Sequence, residues 1–148
     1  MSNGQPIEVL LIEDNPNDIE LVLRAFKKHN LHNLVHVVRD GAAALDFVFC
    51  TGAYKDREMQ KTPKVIILDL KLPKVSGKEV LKRIKSDERT RTIPVVVTTS
   101  SQEEKDVVES YRLGVNSYIV KPVDFQKFVD TIADLGLYWL IINKPPVA

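Results

Sequence analysis

Five residues of this 148-residue chain have side chains that could do chemistry together, and each stands at the end of a short apolar run. Glu13 and Asp14 follow "VLLI" (9–12), Asp69 follows "VIIL" (65–68), Thr99 lies between Thr98 and Ser100 after "VVV", and Lys121 follows "SYIV" (117–120). Two carboxylates about 5 Å apart, at an effective dielectric near 20, repel by roughly 3 kcal/mol. That is about two pKa units, so Glu13 and Asp14 require a cation, a proton or open water. Three carboxylates, one or two hydroxyls and one ammonium suit a divalent cation and a phosphoryl group. Magnesium fits best, because a hard ion that keeps several waters needs only a few carboxylates plus phosphate oxygens. Asp69 could attack phosphorus and form an aspartyl phosphate, with the cation, Lys121 and a hydroxyl offsetting the charge on the phosphoryl oxygens.

Each residue also has an ordinary structural role open to it. Asp14 could cap a helix, Asp69 could initiate the turn before Pro73, Thr99 could bond backbone at a strand end, and Lys121 could be a solvated surface lysine. The chemical reading therefore depends on whether the elements bring them to one place.

Five continuous apolar, β-branched segments, the four above and "LVHVV" (34–38), read as strands buried on both faces, as in a parallel sheet. Helical patterns lie between them. Pro16 suits the first position of a helix capped by Asp14 or Asn15, and Ile19, Val22, Leu23 and Phe26 keep one-face spacing. Similar patterns follow in "GAAALDFV", "GKEVLKRIKS", "EEKDVVESYRLG" and "DFQKFVDTIADLGLYWL", with Gly114 as the stop of the fourth. Five strand-helix units in strict alternation predict an α/β chain of flavodoxin-like type, a doubly wound (βα)5 three-layer sandwich around a parallel five-stranded sheet. Ligands of such sheets bind beyond the carboxyl ends of the strands where strand order reverses. With order 2-1-3-4-5, the five chemical residues share that crevice.

Composition narrows the function. The chain is 44% hydrophobic and 28% charged, which fits one globular domain, and its net charge of +1 provides no basic field for nucleic acid. Cys50 is the only cysteine, so no intramolecular disulfide and no cysteine-based zinc site is expected. The N-terminal "MSNGQPIEV" lacks the features of a signal peptide, and no apolar run approaches the roughly 20 residues of a membrane helix. A cytoplasmic location is expected. His29, His32 and His36 span the end of the first helix and the second strand, so they share no helical face and read as ordinary histidines.

The motifs "IED" (12–14), "LDLKLPKVSG" (68–77), "PVVVTTSS" (94–101) and "YIVKP" (118–122) resemble the receiver domain of two-component response regulators, over residues 7 to about 136. The resemblance implies that Asp69 accepts phosphate from a histidine kinase. It also implies that Asp14 holds Mg²⁺ directly, Glu13 holds it through water, and the backbone carbonyl of Lys71 completes the metal shell with Asp69. Thr99 would hydrogen-bond the phosphoryl group, Lys121 would pair with it, and Tyr118 would turn inward as Thr99 moves. The Lys121–Pro122 bond would be cis. Such a protein is a phosphoacceptor with slow self-dephosphorylation, not a turnover enzyme. Lys71 and Ser101 depart from residues common in the family, and both border the path of attacking water.

The long loop 51–63 and the ending "LGLYWLIINKPP" are most similar to stand-alone regulators associated with bacterial and cyanobacterial phytochromes. On that division, 1–6 is an N-terminal extension, 7–140 the receiver domain and 141–148 a C-terminal tail. A haloacid-dehalogenase-like phosphatase would need a second Asp where Lys71 stands. A flavodoxin-like cofactor binder would not offer "EDNPND" to a phosphate. A degenerate receiver used only for protein contacts is the remaining alternative.

The upstream partner is a sensor histidine kinase, a phytochrome on the narrower resemblance, and the downstream partner is an unidentified target or phosphotransfer protein. Phe125, Phe128, Ile132, Leu135 and Trp139 form one stripe against the sheet, while Leu137, Tyr138, Leu140 and Ile141 point elsewhere. An apolar circumference of this kind implies burial on a second side. The expectation is a homodimer through the fourth helix, fifth strand, fifth helix and tail; the alternative is a tail folded back over its own domain.

Overall fold

The computed structural model describes residues 7–100, 103–121 and 124–145, with the side chain of Phe125 also outside the description. Five parallel strands, β1 (Val9–Ile12), β2 (Val35–Val38), β3 (Val65–Leu68), β4 (Val95–Thr99) and β5 (Ser117–Val120), form one sheet in the order β2-β1-β3-β4-β5. Five helices connect and follow them: α1 (Pro16–Lys27), α2 (Gly41–Phe49), α3 (Gly77–Ser86), α4 (Glu104–Arg112) and α5 (Phe125–Leu137). The predicted doubly wound order is the observed one.

The apolar strand runs are continuous because each strand face has its own core. Leu10, Ile12, Ile66, Leu68, Val95 and Val97 pack on one side against residues of α2 and α3, among them Phe47, Leu81 and Ile84. Val9, Leu11, Val65, Ile67 and Val96 pack on the other against Val22 and Phe26 of α1 and Phe128, Val129 and Ile132 of α5. Burying one such side chain contributes about 1.5–3 kcal/mol. The central strands β1, β3 and β4 are buried throughout, whereas β5 at the sheet's edge is half-buried.

Caps set where the helices begin. Asn15 accepts from the N–H groups of Asn17 (2.9 Å) and Asp18 (3.2 Å), with Pro16 in the first turn, so Asn15 is the cap and Asp14 is spared for other work. Asp40, Ser76 and Asp124 cap α2, α3 and α5 in the same way. Gly114, with φ +99°, follows the end of α4 as expected.

Two regions carry features that the sequence pattern does not contain. Loop 51–63 is tied back to the domain: Arg57 donates to the carbonyl of Phe47 and to that of Lys61 (2.9 Å), its guanidinium lies 3.7 Å from the centroid of the Phe47 ring, and the Tyr54 hydroxyl lies 2.9 Å from His36 Nε2. The C-terminal end of α5 widens into a π-helical turn over Tyr138–Ile142, closed by the Asn143 N–H on the Tyr138 carbonyl at 2.7 Å. The extra residue in that turn shifts the helical phase. Leu140, expected to point away, is buried with the α1/α5 core, while Leu135 and Trp139 are partly buried against it. Tyr138, Ile141 and Ile142 remain exposed. Among the described residues no helix is long and apolar enough to cross a membrane.

Candidate functional site

The β1 strand delivers Glu13 and Asp14 to the carboxyl end of the sheet, and backbone bonds extend the ladder just far enough to hold their neighbours there. The Glu13 N–H donates to Val38 O (3.0 Å), Asp69 N–H to Ile12 O (3.0 Å) and Lys121 N–H to Thr99 O (2.7 Å). Residues one step past β1, β3 and β5 are thus brought to one edge, beside Thr99 at the end of β4. Gly77 keeps the loop after Asp69 close: a Cβ there would lie 2.4 Å from the Asp69 carbonyl oxygen.

Glu13, Asp14 and Asp69 each offer a carboxylate oxygen, and these oxygens lie within 4.8 Å of one another. Glu13 and Asp69 are buried, whereas Asp14 is exposed to a cleft of about 560 Å³ lined by Asp14, Asn15, Pro16, Asp18, Asp69, Lys71, Ser100 and Lys121. The oxygen-only donor set suits a hard divalent cation. Thr99 is fully buried at the end of β4, and Tyr118 on β5, in register with Val97, is half-buried against the α2/α3 core.

Lys121 is the cation of the site. Its ammonium donates to Glu13 Oε1 (2.7 Å), Asp18 Oδ2 (2.7 Å) and Asp69 Oδ2 (3.2 Å). Burial opposes its charge, but the hydrogen bonds to Asp18 and Glu13, with the fields of Glu13 and Asp69, hold its pKa above the ordinary lysine value. Glu13 moves the other way from a typical ion-paired acid: burial, reinforced by Asp69, outweighs Lys121 and raises its pKa to about 7. Among the described residues, the carboxylates of Glu13, Asp14, Asp18 and Asp69 outnumber the ammonium that three of them share, so the pocket keeps a surplus of negative charge. A divalent cation would offset most of that surplus.

The two readings of Asp69 prove compatible. Its Oδ1 accepts the Lys71 N–H (3.1 Å) in a local turn, while Oδ2 faces Lys121 and the cleft. Lys71 lines the same cleft. The structure therefore brings Glu13, Asp14, Asp69, Lys71 and Lys121 together, with Thr99 and Tyr118 on the adjoining strands. The Lys121–Pro122 bond and Ser101 lie outside the described residues. Asp18 was not singled out by sequence reasoning. An acid in the first turn of a helix reads as compensation of the helix dipole, and Asp14 precedes the Asn15 cap, so no helical spacing marks Asp18 as part of the site.

The response regulator receiver domain model matches residues 9–133. FilR2 of Methanothrix harundinacea, a probable methanogenesis regulatory protein, is 40% identical over 95% of this chain and 88% of its own length. The response regulator Rcp1 of Synechocystis sp. is 38% identical over 99% and 97%, and its solved Mn²⁺-bound form superposes with a TM-score of 0.87 over 96% of this chain and 100% of that one. The phosphorylated cyanobacterial phytochrome response regulator RcpA is 36% identical, with a TM-score of 0.88 over 96% and 99% of the two chains. The bacteriophytochrome response regulator RtBRR is 54% identical, with a TM-score of 0.75 over 96% and 85%. With its site residues gathered at the switch point of the sheet and most of its length matched by one family, the chain belongs to the response regulator receiver domain family.

Proposed function

We propose that this receiver accepts a phosphoryl group on Asp69 from a phosphohistidine of a sensor kinase, in a Mg²⁺-dependent reaction. The observation that carries the proposal is the placement of Asp69: buried, fixed through Oδ1 by the Lys71 N–H, with Oδ2 3.2 Å from the Lys121 ammonium, in a cleft that also holds Asp14 and Glu13. An ionised carboxylate needs no base to activate it. An Asp69 oxygen forms the new P–O bond as the donor's P–N bond breaks, and the bonding pair leaves with the imidazole nitrogen, which takes a proton from solvent. Lys121 offers an N–H to the phosphoryl oxygens, and the Thr99 hydroxyl offers another. Asp14 and Asp69 directly, the Lys71 carbonyl, and Glu13 through water would hold Mg²⁺, whose charge offsets that of the phosphoryl oxygens and of the carboxylate surplus.

Signalling then follows from a change of surface. Thr99 moving toward the phosphoryl group leaves room that Tyr118 fills by turning further inward, which selects one of two surface arrangements. The chain acts in the cytoplasm as a phosphoacceptor with slow self-dephosphorylation, not as a turnover enzyme. Similarity to RcpA and RtBRR, both named as phytochrome response regulators, supports a phytochrome-type kinase as the upstream partner. The exposed Val108 and Tyr111 of α4 and Tyr138, Ile141 and Ile142 at the tail support a homodimer through α4, β5, α5 and the tail.

Treatment with acetyl phosphate and Mg²⁺ is expected to add one phosphoryl mass, lost on exposure to hydroxylamine or base and absent in Asp69→Asn. No mass gain, or an undiminished gain in Asp69→Asn, would reject Asp69 as acceptor and favour a receiver that only binds proteins. Light scattering over a concentration series is expected to show a dimer at high micromolar protein; a strict monomer with and without a phosphate mimic would reject the dimer and favour a tail that contacts only its own domain.

A further inference from the structure

The Lys121 ammonium has three N–H groups, and all three are engaged by carboxylates. The bonds to Glu13 and Asp18 are the short ones, 2.7 Å each, and the bond to Asp69 is the long one at 3.2 Å. Glu13 and Asp69 come from the sheet. Asp18 comes from α1, where the Asn15 cap accepts its backbone N–H and sets it in the first turn, with its side chain only 23% exposed beside Lys121. Asp18 thus shares one ammonium with the two carboxylates of the sheet.

We propose that Asp18 is a positioning residue that competes for Lys121 with the phosphoryl group formed on Asp69; this rests on the phosphoacceptor reading above. In the resting site Asp18 draws the ammonium away from Asp69, and its charge adds to the negative potential that attracts a divalent cation. When Asp69 carries a phosphoryl group, Lys121 must turn an N–H toward the new oxygens against the pull of Asp18. Neutralising Asp18 releases Lys121 toward Asp69 and Glu13. That brings positive charge nearer the phosphoryl oxygens and, for the same reason, nearer the cation. The two ligands therefore respond in opposite directions, whereas a loss of packing or of helix stability would weaken both.

The test uses the full chain, with Mg²⁺ titrated alone by calorimetry and beryllofluoride titrated at saturating Mg²⁺ by fluorine NMR. In Asp18→Asn, Mg²⁺ affinity is expected to fall about fivefold, while beryllofluoride affinity rises on the order of tenfold, the worth of one hydrogen bond to a charged group. Asp18→Glu, which keeps the charge, is expected to stay near wild type. In a Lys121→Met background the same Asp18→Asn change is expected to leave beryllofluoride affinity within about twofold, because the residue through which Asp18 acts is gone. Unchanged or jointly weakened affinities in Asp18→Asn, or an equal gain without Lys121, would overturn the inference. If wild-type protein binds Mg²⁺ but takes neither beryllofluoride nor a phosphoryl group, the phosphoacceptor reading itself falls and this inference with it. Normal wild-type binding with an inert Asp18→Asn removes this inference alone.

Discussion

Lys121 and Arg57 are both partly buried cations held by three partners, yet their surroundings have opposite character. Lys121, at the carboxyl end of the sheet, meets three carboxylates and has its pKa raised. Arg57, beside β2, donates to the carbonyls of Phe47 and Lys61, touches Cys50 Sγ at 3.5 Å and stacks on the Phe47 ring, so burial leaves its pKa lowered. Neutral acceptors and an aromatic face complete a structural strap. A carboxylate excess, by contrast, leaves Lys121 in an environment that is still asking for positive charge, and that imbalance distinguishes the reactive end from the braced edge.

Removing Lys121 should have the larger effect. Lys121→Met strands Glu13, buried to 1% exposure, without its counter-charge, and is expected to cost about 3–5 kcal/mol at pH 8 without metal. Added Mg²⁺ should restore part of it. Urea denaturation with and without Mg²⁺ checks this; a variant as stable as wild type in chelator would mean that Lys121 does not balance the buried carboxylates.

The pH dependence of the metal-free protein sharpens the same contrast. Glu13 binds its proton more tightly when folded, with a pKa raised from 4.5 to about 7 by burial first and by Asp69. The folded state then holds more protons than the unfolded one across that window, so stability contributed by protonated Glu13 is fully present below about pH 4.5 and is lost as pH rises toward 7. The loss is on the order of 3 kcal/mol. Glu13→Gln, uncharged at every pH, should flatten that part of the profile, as should saturating Mg²⁺. Thermal unfolding in chelator from pH 5 to 8 reads it directly, and an identical slope in Glu13→Gln would remove Glu13 as its source.

Arg57→Ala should have the smallest effect, about 1–2 kcal/mol from lost carbonyl bonds and ring stacking. Loop 51–63 should become more susceptible to protease while phosphoryl uptake at Asp69 stays unchanged. Arg57→Lys should recover little of the loss, since an ammonium cannot stack on Phe47 and reach two carbonyls in one plane. A large change in phosphoryl uptake would show that the two regions are coupled.

Much of this was legible in the primary structure because its causes are local or periodic. The apolar strand runs, the Asn15–Pro16 helix start and the Gly114 stop each follow from a few neighbouring residues, and the alternation of strands and helices restricts the topology to few orders. The strand-end positions of Glu13, Asp14, Asp69, Thr99 and Lys121 follow from the same pattern, since residues just past parallel strands meet at one edge. Three things depended on contacts that residue type and spacing do not reveal. Asp18 meets Lys121 across 103 positions, and a first-turn acid carries no mark of a distant partner. The π-helical turn that buries Leu140 changes helical phase by one residue, which an apolar-all-round segment does not reveal. Arg57 reads as one more charge in a polar loop until Phe47 and two carbonyls surround it. Residue type and spacing thus determined which groups stand at the reactive edge, while three-dimensional packing alone decided how their charges are balanced, because Coulomb and desolvation energies depend on distance and burial and not on order along the chain.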